Sequence, residues 1–260
     1  MPAENHSTDV ATVHRIVHNE AMQLAANENR RFLALLTQLG SADWQKATDC
    51  PRWTVRDVAV HVTASAEAQA SPVEFLRQLW QGRRLISESG GHHWVDGLNE
   101  AQLRERGQLT PDDIPARWER ASAAALKARQ RMPVLVRKLP VLPLGSVGGV
   151  DLGWQPLGYL FGIGFTRDVW MHRIDVCRAA GMPMEPTRDH DGRIVADIIA
   201  EWATLHSEPF ALRLTGPAGG TFTRKGGSDG GWLEIDALEC CRILSGRGQA
   251  HGVLRHPLPL

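Results

Sequence analysis

The sequence has 260 residues, and its 29 basic and 29 acidic side chains cancel, so the chain carries no net charge at pH 7 with histidine neutral. This balance argues against a nucleic-acid-binding patch and a polybasic membrane surface, and the length allows one large domain or two modest ones. Residues 1–6 lack the apolar stretch of a signal peptide, and the longest apolar run, residues 157–165, is too short to cross a bilayer. We therefore expect a cytoplasmic protein that binds neither nucleic acid nor a membrane.

Helical periodicity characterises most of the first 183 residues. Apolar residues at helical spacing predict helices over residues 8–38, 72–88, 95–106 and 110–132. A further helix begins after Thr54, which is a good N-cap, and Asp57 at the third helical position completes a capping box. These elements predict an all-α unit.

Two sets of histidines fall in this half of the chain. His61 lies among valines on the helix that follows Thr54, and a single helical histidine, taken alone, is more often a hydrogen-bonded core residue than a ligand. His92 and His93 lie in a predicted loop. They are rival metal ligands, but adjacent loop residues point in different directions.

A helix is predicted from about Pro156 to Ala180, after a Pro/Gly-rich loop or short hairpin at residues 133–153 and before a stop at Gly181. Apolar residues cover most of its circumference, which indicates a buried helix. Yet Asp168, His172 and Asp175 follow one another at i, i+4 and i+7 and therefore share one ridge.

A buried ridge of two carboxylates and an imidazole is costly unless a partner satisfies it. One solution is a closed network of hydrogen bonds and ion pairs. The other is a metal ion held by Asp168 and His172, with further ligands from another helix. For Asp175 we expect a pairing with an arginine or a backbone N–H, and the alternative is that it orients a ligand histidine.

The composition changes after residue 183. The patterns predict, in order, a linker at 186–191, a helix at 194–205, short antiparallel strands at 211–215, 220–223 and 232–235, and a helix at 236–244. The predicted fold class is therefore α plus α+β. It comprises a helical-bundle domain at residues 1–183 and a small α+β domain with a short antiparallel sheet at residues 191–260.

The four cysteines favour neither a disulfide framework nor a zinc site. Cys50 and Cys177 stand alone, whereas Cys240 and Cys241 are adjacent, which is poor spacing for two ligands of one zinc ion. We expect reduced, buried thiols.

Three motifs occur in an order typical of one family. They are Cys50-Pro51-Arg52-Trp53-Thr54 with His61 in the helix that follows, Asp168-Val169-Trp170-Met171-His172 before Ala180-Gly181, and Leu244-Ser245-Gly246-Arg247. On these motifs the whole chain resembles the mycothiol-dependent maleylpyruvate isomerase family of actinobacteria. The resemblance implies a DinB-like four-helix bundle, followed by a small C-terminal domain similar to sterol-carrier-protein folds.

The resemblance also implies a metal site formed by His61, Asp168 and His172. Three protein ligands and an open position are typical of a catalytic zinc, although another divalent metal would suit the same ligands. The family's isomerase has Glu where this chain has Asp168. Because Asp is one methylene shorter, it ligates only if the helix lies closer or tilts; otherwise it binds a water or an arginine and leaves a weaker site of two histidines.

The chemistry implied by the resemblance uses a low-molecular-weight thiol, mycothiol, as cosubstrate. Zinc coordination stabilises a thiolate, which attacks an electrophilic carbon of a small substrate and leads to isomerisation or S-transfer. The substrate's carboxylate then needs a cation, for which the candidates are Arg167, Arg173 and Arg247. We rank Arg247 first as the catalytic candidate, because Gly246 and Gly248 let its loop approach a site.

Three hypotheses therefore compete. The chain is a metal-dependent isomerase or S-transferase that uses mycothiol, a non-catalytic metal- or ligand-binding protein of the same fold, or a bundle whose polar ridge is purely structural. Asp168 in place of Glu slightly favours the second hypothesis over the first. The sequence decides neither the substrate nor whether the protein is a monomer or a homodimer.

Overall fold

The structure, a computed structural model, describes residues 7–86, 94–140, 142–143, 146–147, 150–225, 227 and 231–258. Its internal contacts divide the chain into two compact units. The bundle unit comprises residues 18–143 and 154–183, and the C-terminal unit comprises residues 1–17, 144–153 and 184–260. The predicted domains 1–183 and 191–260 differ from this division chiefly in the N-terminal segment, which adds a strand to the sheet of the C-terminal unit.

The described part of the bundle unit contains α1 His18–Leu36, α2 Val55–Ala70, α3 Pro72–Leu85, α4 Trp94–Glu105, α5 Ile114–Arg131, α6 Val134–Arg137, α7 Leu157–Tyr159 and α8 Phe165–Ala180. Helices α1 and α2 each pack against both α5 and α8, which closes a four-helix bundle. Its core contains Phe32 and Trp118, whose rings meet edge to face at 5.2 Å, and the fully buried Trp170. The predicted helical bundle is therefore confirmed.

The helix predicted over residues 8–38 is wrong in its first part. Thr8–Asp9 form a short strand, Val10–Thr12 form a 3-10 turn capped by the Asp9 side chain, and α1 begins only at His18. The apolar residues of this segment are mostly valine and isoleucine, which are stiff at χ1 and favour extended backbone. Their helix-like spacing therefore led to an incorrect prediction of a helix for this segment.

Helices α3 and α4 pack on each other and on α2. Their crossing depends on Gly82 and Gly97: a Cβ atom on Gly97 would lie 2.1 Å from the carbonyl oxygen of Gly82. Such a close approach requires glycine at this contact. It brings two buried glutamines, Gln78 on α3 and Gln102 on α4, within hydrogen-bonding distance.

The helix predicted from about residue 156 to 180 is interrupted near its start. A π turn, Leu160–Gly164, separates α7 from α8. The buried Arg129 of α5 donates hydrogen bonds to the carbonyl oxygens of Phe161 and Gly162 and to the hydroxyl of Thr166. Burial lowers the pKa of Arg129 to about 10, so it stays charged at neutral pH and holds the turn that leads into α8. The predicted stop is confirmed, since Gly181 adopts a left-handed φ of 71°.

The strands are short: β1 Thr8–Asp9, β2 Leu142–Pro143, β3 Ser146–Val147, β4 Val150–Asp151, β5 Trp154–Gln155, β6 Phe210–Thr215, β7 Gly220–Arg224 and β8 Leu233–Asp236. In the bundle unit β2 pairs with β5, and in the C-terminal unit β3 pairs with β4, both antiparallel.

The main sheet of the C-terminal unit has the order β1-β7-β6-β8. It is accompanied by the helices α9 Arg193–Trp202 and α10 Ala237–Leu244. Of the three strands predicted to be antiparallel, β6 and β7 pair in that way. The prediction is wrong for β6 and β8, which pair in parallel. After β7 the chain crosses to the far edge of β6, so β8 runs parallel to β6, and β1 joins β7 in parallel. Among the described helices, none is long and apolar enough to cross a membrane.

Candidate metal centre

Three side chains singled out from the sequence lie together in the bundle unit. His61 comes from α2, and Asp168 and His172 come from successive turns of α8. The two histidines are buried, with 7% and 5% of their surface exposed, whereas the Asp168 side chain is 30% exposed. The cluster therefore offers two buried nitrogen donors and one carboxylate that reaches solvent.

The distances within this cluster suit metal ligation better than direct hydrogen bonding. Asp168 Oδ1 lies 3.5 Å from His172 Nε2, and Asp168 Oδ2 lies 3.7 Å from His61 Nε2. Hydrogen bonds between nitrogen and oxygen span about 2.7–3.2 Å. Tetrahedral zinc holds such ligands at about 2.0–2.2 Å, which places the donor atoms about 3.3–3.6 Å from one another. Donor types and spacing therefore fit a zinc-sized ion better than direct hydrogen bonds among these three side chains.

Both imidazoles are fixed by hydrogen bonds on the side away from the cluster. His172 Nδ1 lies 3.0 Å from Asp175 Oδ2, and His61 Nδ1 lies 2.7 Å from Gln102 Oε1. Carboxylate and amide oxygens accept hydrogen bonds, so in the neutral form of each imidazole Nδ1 carries the hydrogen and Nε2 has the lone pair. Hydrogen bonds of this kind orient the histidine ligands of metals.

A second group of ligand-like atoms shares His172. Cys50 Sγ lies 3.3 Å from Asp175 Oδ2 and 3.9 Å from His172 Nδ1, and the three side chains have spacing compatible with a metal. A neutral imidazole has only one nitrogen lone pair, and the hydrogen bond to Asp175 leaves it on Nε2. His172 therefore presents the lone pair of Nε2 to the side of His61 and Asp168. The fully buried Asp175 orients the His172 ring, which is the alternative role that the sequence analysis gave for it.

The loop before α2 covers one side of both imidazoles. The Trp53 ring centroid lies 5.0 Å from that of His61 and 6.0 Å from that of His172. Arg52 adopts a left-handed φ of 71°, and the capping box of Thr54 begins α2 directly afterwards. The motif therefore places an apolar wall beside the cluster. Sequence analysis assigned Trp53 no such role, although the residue lies within the motif.

The arginines predicted to bind the substrate's carboxylate lie in different surroundings. Arg173 is buried and pairs with the buried Glu28 of α1, with N–O distances of 2.5 and 3.1 Å, so it contributes to the packing of α8. Arg247 lies in the C-terminal unit, in the turn after α10, where its carbonyl oxygen accepts a hydrogen bond from Arg242. Its role as the substrate's cation stays a prediction. The rival ligands His92 and His93 lie outside the described residues.

All four cysteines are free thiols, and Cys177, Cys240 and Cys241 are buried. Burial raises the pKa of Cys177 and raises that of Cys240 to about 12. Both groups therefore stay protonated at neutral pH. Cys50, which is only half-buried, is the cysteine that contacts the candidate metal centre.

The fold and the cluster define a class of protein, a helical bundle with a candidate site for one divalent metal ion. The chain belongs to the mycothiol maleylpyruvate isomerase family, because the model of that family's N-terminal domain matches residues 25–177, more than half of the sequence. Among curated proteins, none matches the sequence.

Two solved structures are similar to the chain over its length. One is the mycothiol-dependent maleylpyruvate isomerase, with 18% identity and a TM-score of 0.57. The other is a histidine-to-alanine mutant of that isomerase, with 17% identity and a TM-score of 0.57. In both comparisons 93% of this chain aligns with 92% of the other. At this level of identity the likeness establishes a shared fold.

Proposed function

We propose that the chain is a metal-dependent enzyme that uses mycothiol to isomerise or S-conjugate a small electrophilic substrate. The observation that carries the proposal is the convergence of two Nε2 lone pairs and one carboxylate at the spacing of zinc ligands. Family membership supports the choice of thiol and reaction. The proposal includes a cytoplasmic location, where a low-molecular-weight thiol is kept reduced.

In this proposal His61, Asp168 and His172 hold zinc, or another divalent metal. A bound metal would stabilise the thiolate form of the cosubstrate relative to its thiol at neutral pH. The two histidines are neutral donors and Asp168 contributes one negative charge, so the occupied site keeps a net positive charge that attracts the thiolate. Trp53 excludes water from one side of the site, and the exposed edge at Asp168 leaves access for thiol and substrate.

A non-catalytic metal- or ligand-binding role is the second candidate. The observation that favours it is Asp168, whose side chain is one methylene shorter than the Glu implied by the family resemblance. A carboxylate held farther back would bind the metal more weakly. In that case the bundle would retain the metal and the thiol without turnover.

The test is turnover of maleylpyruvate by the zinc-loaded protein, with and without mycothiol. We expect conversion that requires mycothiol, falls to background in Asp168→Ala and persists in Asp168→Glu. A panel of other electrophiles, with the conjugate detected by mass spectrometry, tests S-transfer in the same samples. Stoichiometric zinc without thiol-dependent turnover of any substrate would overturn the enzymatic proposal, and activity gained only in Asp168→Glu would identify the shortened ligand as the cause.

A further inference from the structure

His61 is the first member of a hydrogen-bond chain that crosses three helices. Its Nδ1 atom contacts Gln102 of α4, and Gln102 Nε2 donates to Gln78 Oε1 of α3 over 2.8 Å. Gln78 Nε2 in turn lies 3.0 Å from the carbonyl oxygen of Ala64 and 2.8 Å from Glu74 Oε1. Both glutamines are buried, with 0% and 2% of their surface exposed. Protein atoms, and not bulk water, therefore satisfy their amides.

Two acceptors at the end of this hydrogen-bond chain, Glu74 and the carbonyl oxygen of Ala64, determine which end of each glutamine amide donates and which accepts. A hydrogen bond from Arg77, the largest contribution, lowers the pKa of Glu74 to about 2, so at neutral pH its carboxylate only accepts hydrogen bonds. The carbonyl oxygen of Ala64 also only accepts. Gln78 must therefore present its NH2 group to both, which leaves its Oε1 atom for the NH2 group of Gln102.

The direction of these hydrogen bonds determines that of the hydrogen bond between Gln102 and His61. With its NH2 group committed to Gln78, Gln102 presents Oε1 to His61, and His61 Nδ1 must carry the hydrogen. The lone pair of His61 is then on Nε2, the atom that faces Asp168. Each hydrogen bond in such a chain polarises the next.

We propose that Gln78 and Gln102 are positioning residues, which hold His61 in the Nδ1–H tautomer and thereby keep Nε2 available to a metal ion. The inference rests on the proposed metal centre and deepens it. Gln78 acts on His61 through Gln102. The close contact of Gly82 and Gly97 maintains the α3–α4 spacing that the two amides require.

The test uses the metal-free protein first. Nitrogen-15 NMR of the histidine side chains reports which ring nitrogen carries the hydrogen. We expect His61 as the Nδ1–H tautomer in the wild type and as a mixture of tautomers in Gln78→Met, because the freed Gln102 amide can then turn its NH2 group to His61. His172, which Asp175 orients independently, is expected to keep its tautomer in both proteins.

The second measurement is zinc affinity by competition with a fluorescent chelator. A mixture of tautomers lowers zinc affinity by the fraction of His61 that loses the Nδ1–H form, about twofold for an even mixture, and we expect Gln78→Met to do so. Gln102→Met removes the hydrogen bond that orients His61 itself, and such a loss typically weakens metal binding by about 10- to 100-fold. Gln38→Met is the control, since Gln38 is an exposed glutamine whose side chain donates to the carbonyl oxygen of Ala34 in α1 instead. This control variant should change neither the His61 tautomer nor the zinc affinity. Gln102→Met, which removes the first amide, replaces Gln78→Met if that variant does not fold.

The outcomes separate this inference from the proposed function. A wild-type His61 in the Nε2–H form, or a Gln78→Met protein with unchanged tautomer and unchanged zinc affinity, would overturn the inference while leaving metal binding intact. A changed tautomer with unchanged zinc affinity would overturn it equally. If the wild type binds no zinc, the metal centre fails, whereas the tautomer measurement still decides whether the amides orient His61.

Discussion

Replacing His172 by alanine should weaken zinc binding by about 100- to 1000-fold. Zinc held by four protein ligands is bound with about 10–16 kcal/mol, or about 2.5–4 kcal/mol for each ligand. His172 Nε2 lies 3.5 Å from Asp168 Oδ1, at the spacing of two ligands of one ion. Its removal leaves His61 and Asp168 as a two-ligand site. Competition titration of the purified variant against a chelator measures the loss.

The matched control is His251→Ala, which removes an exposed histidine of the C-terminal unit. It should bind zinc as the wild type does. Equal zinc affinities for the wild type and His172→Ala would mean that the metal, if bound at all, is held elsewhere. The cluster would then be the structural ridge of the third hypothesis.

Replacing Glu28 by alanine should lower the free energy of unfolding by about 3–5 kcal/mol, the usual cost of removing one partner of a buried ion pair. Glu28 on α1 is fully buried, and Arg173 on α8 is 5% exposed. The variant leaves the buried guanidinium without the carboxylate that accepts two of its hydrogen bonds. Urea denaturation followed by circular dichroism measures the change.

Glu100→Ala is the control for this prediction, because Glu100 pairs with the exposed Arg104 on the surface of α4. Exposed pairs contribute about 0–1 kcal/mol, so this variant should unfold close to the wild type. A loss below about 1 kcal/mol for Glu28→Ala would show that the bundle relaxes around Arg173 or admits water to it.

Local periodicity was sufficient to predict the most important part of the candidate site. The i, i+4 spacing of Asp168 and His172 places both side chains on one helical ridge whatever the rest of the chain does. His61 required the family resemblance, since one imidazole among valines has no distinguishing pattern. The capping box at Thr54, also a local signal, is present at the start of α2 as predicted.

The parts that the sequence did not predict depend on contacts between distant segments. Gln78 and Gln102 carry no local signal, and they meet only because Gly82 and Gly97 let two helices approach closely. The π turn before α8 likewise depends on Arg129, more than thirty residues earlier in the chain. Strand pairing in the C-terminal unit was misjudged for the same reason, because alternation identifies a strand but not its neighbours.

We expect His61, Asp168 and His172 to hold a metal ion with a position open to a thiol. X-ray absorption at the zinc edge, recorded before and after addition of mycothiol, tests it most directly. We predict about one zinc ion per chain with only nitrogen and oxygen neighbours at about 2.0–2.2 Å, and one added sulfur at about 2.3 Å after mycothiol binds. No bound zinc, no sulfur neighbour after addition, or a sulfur already present from Cys50 would show that these three residues do not form such a site.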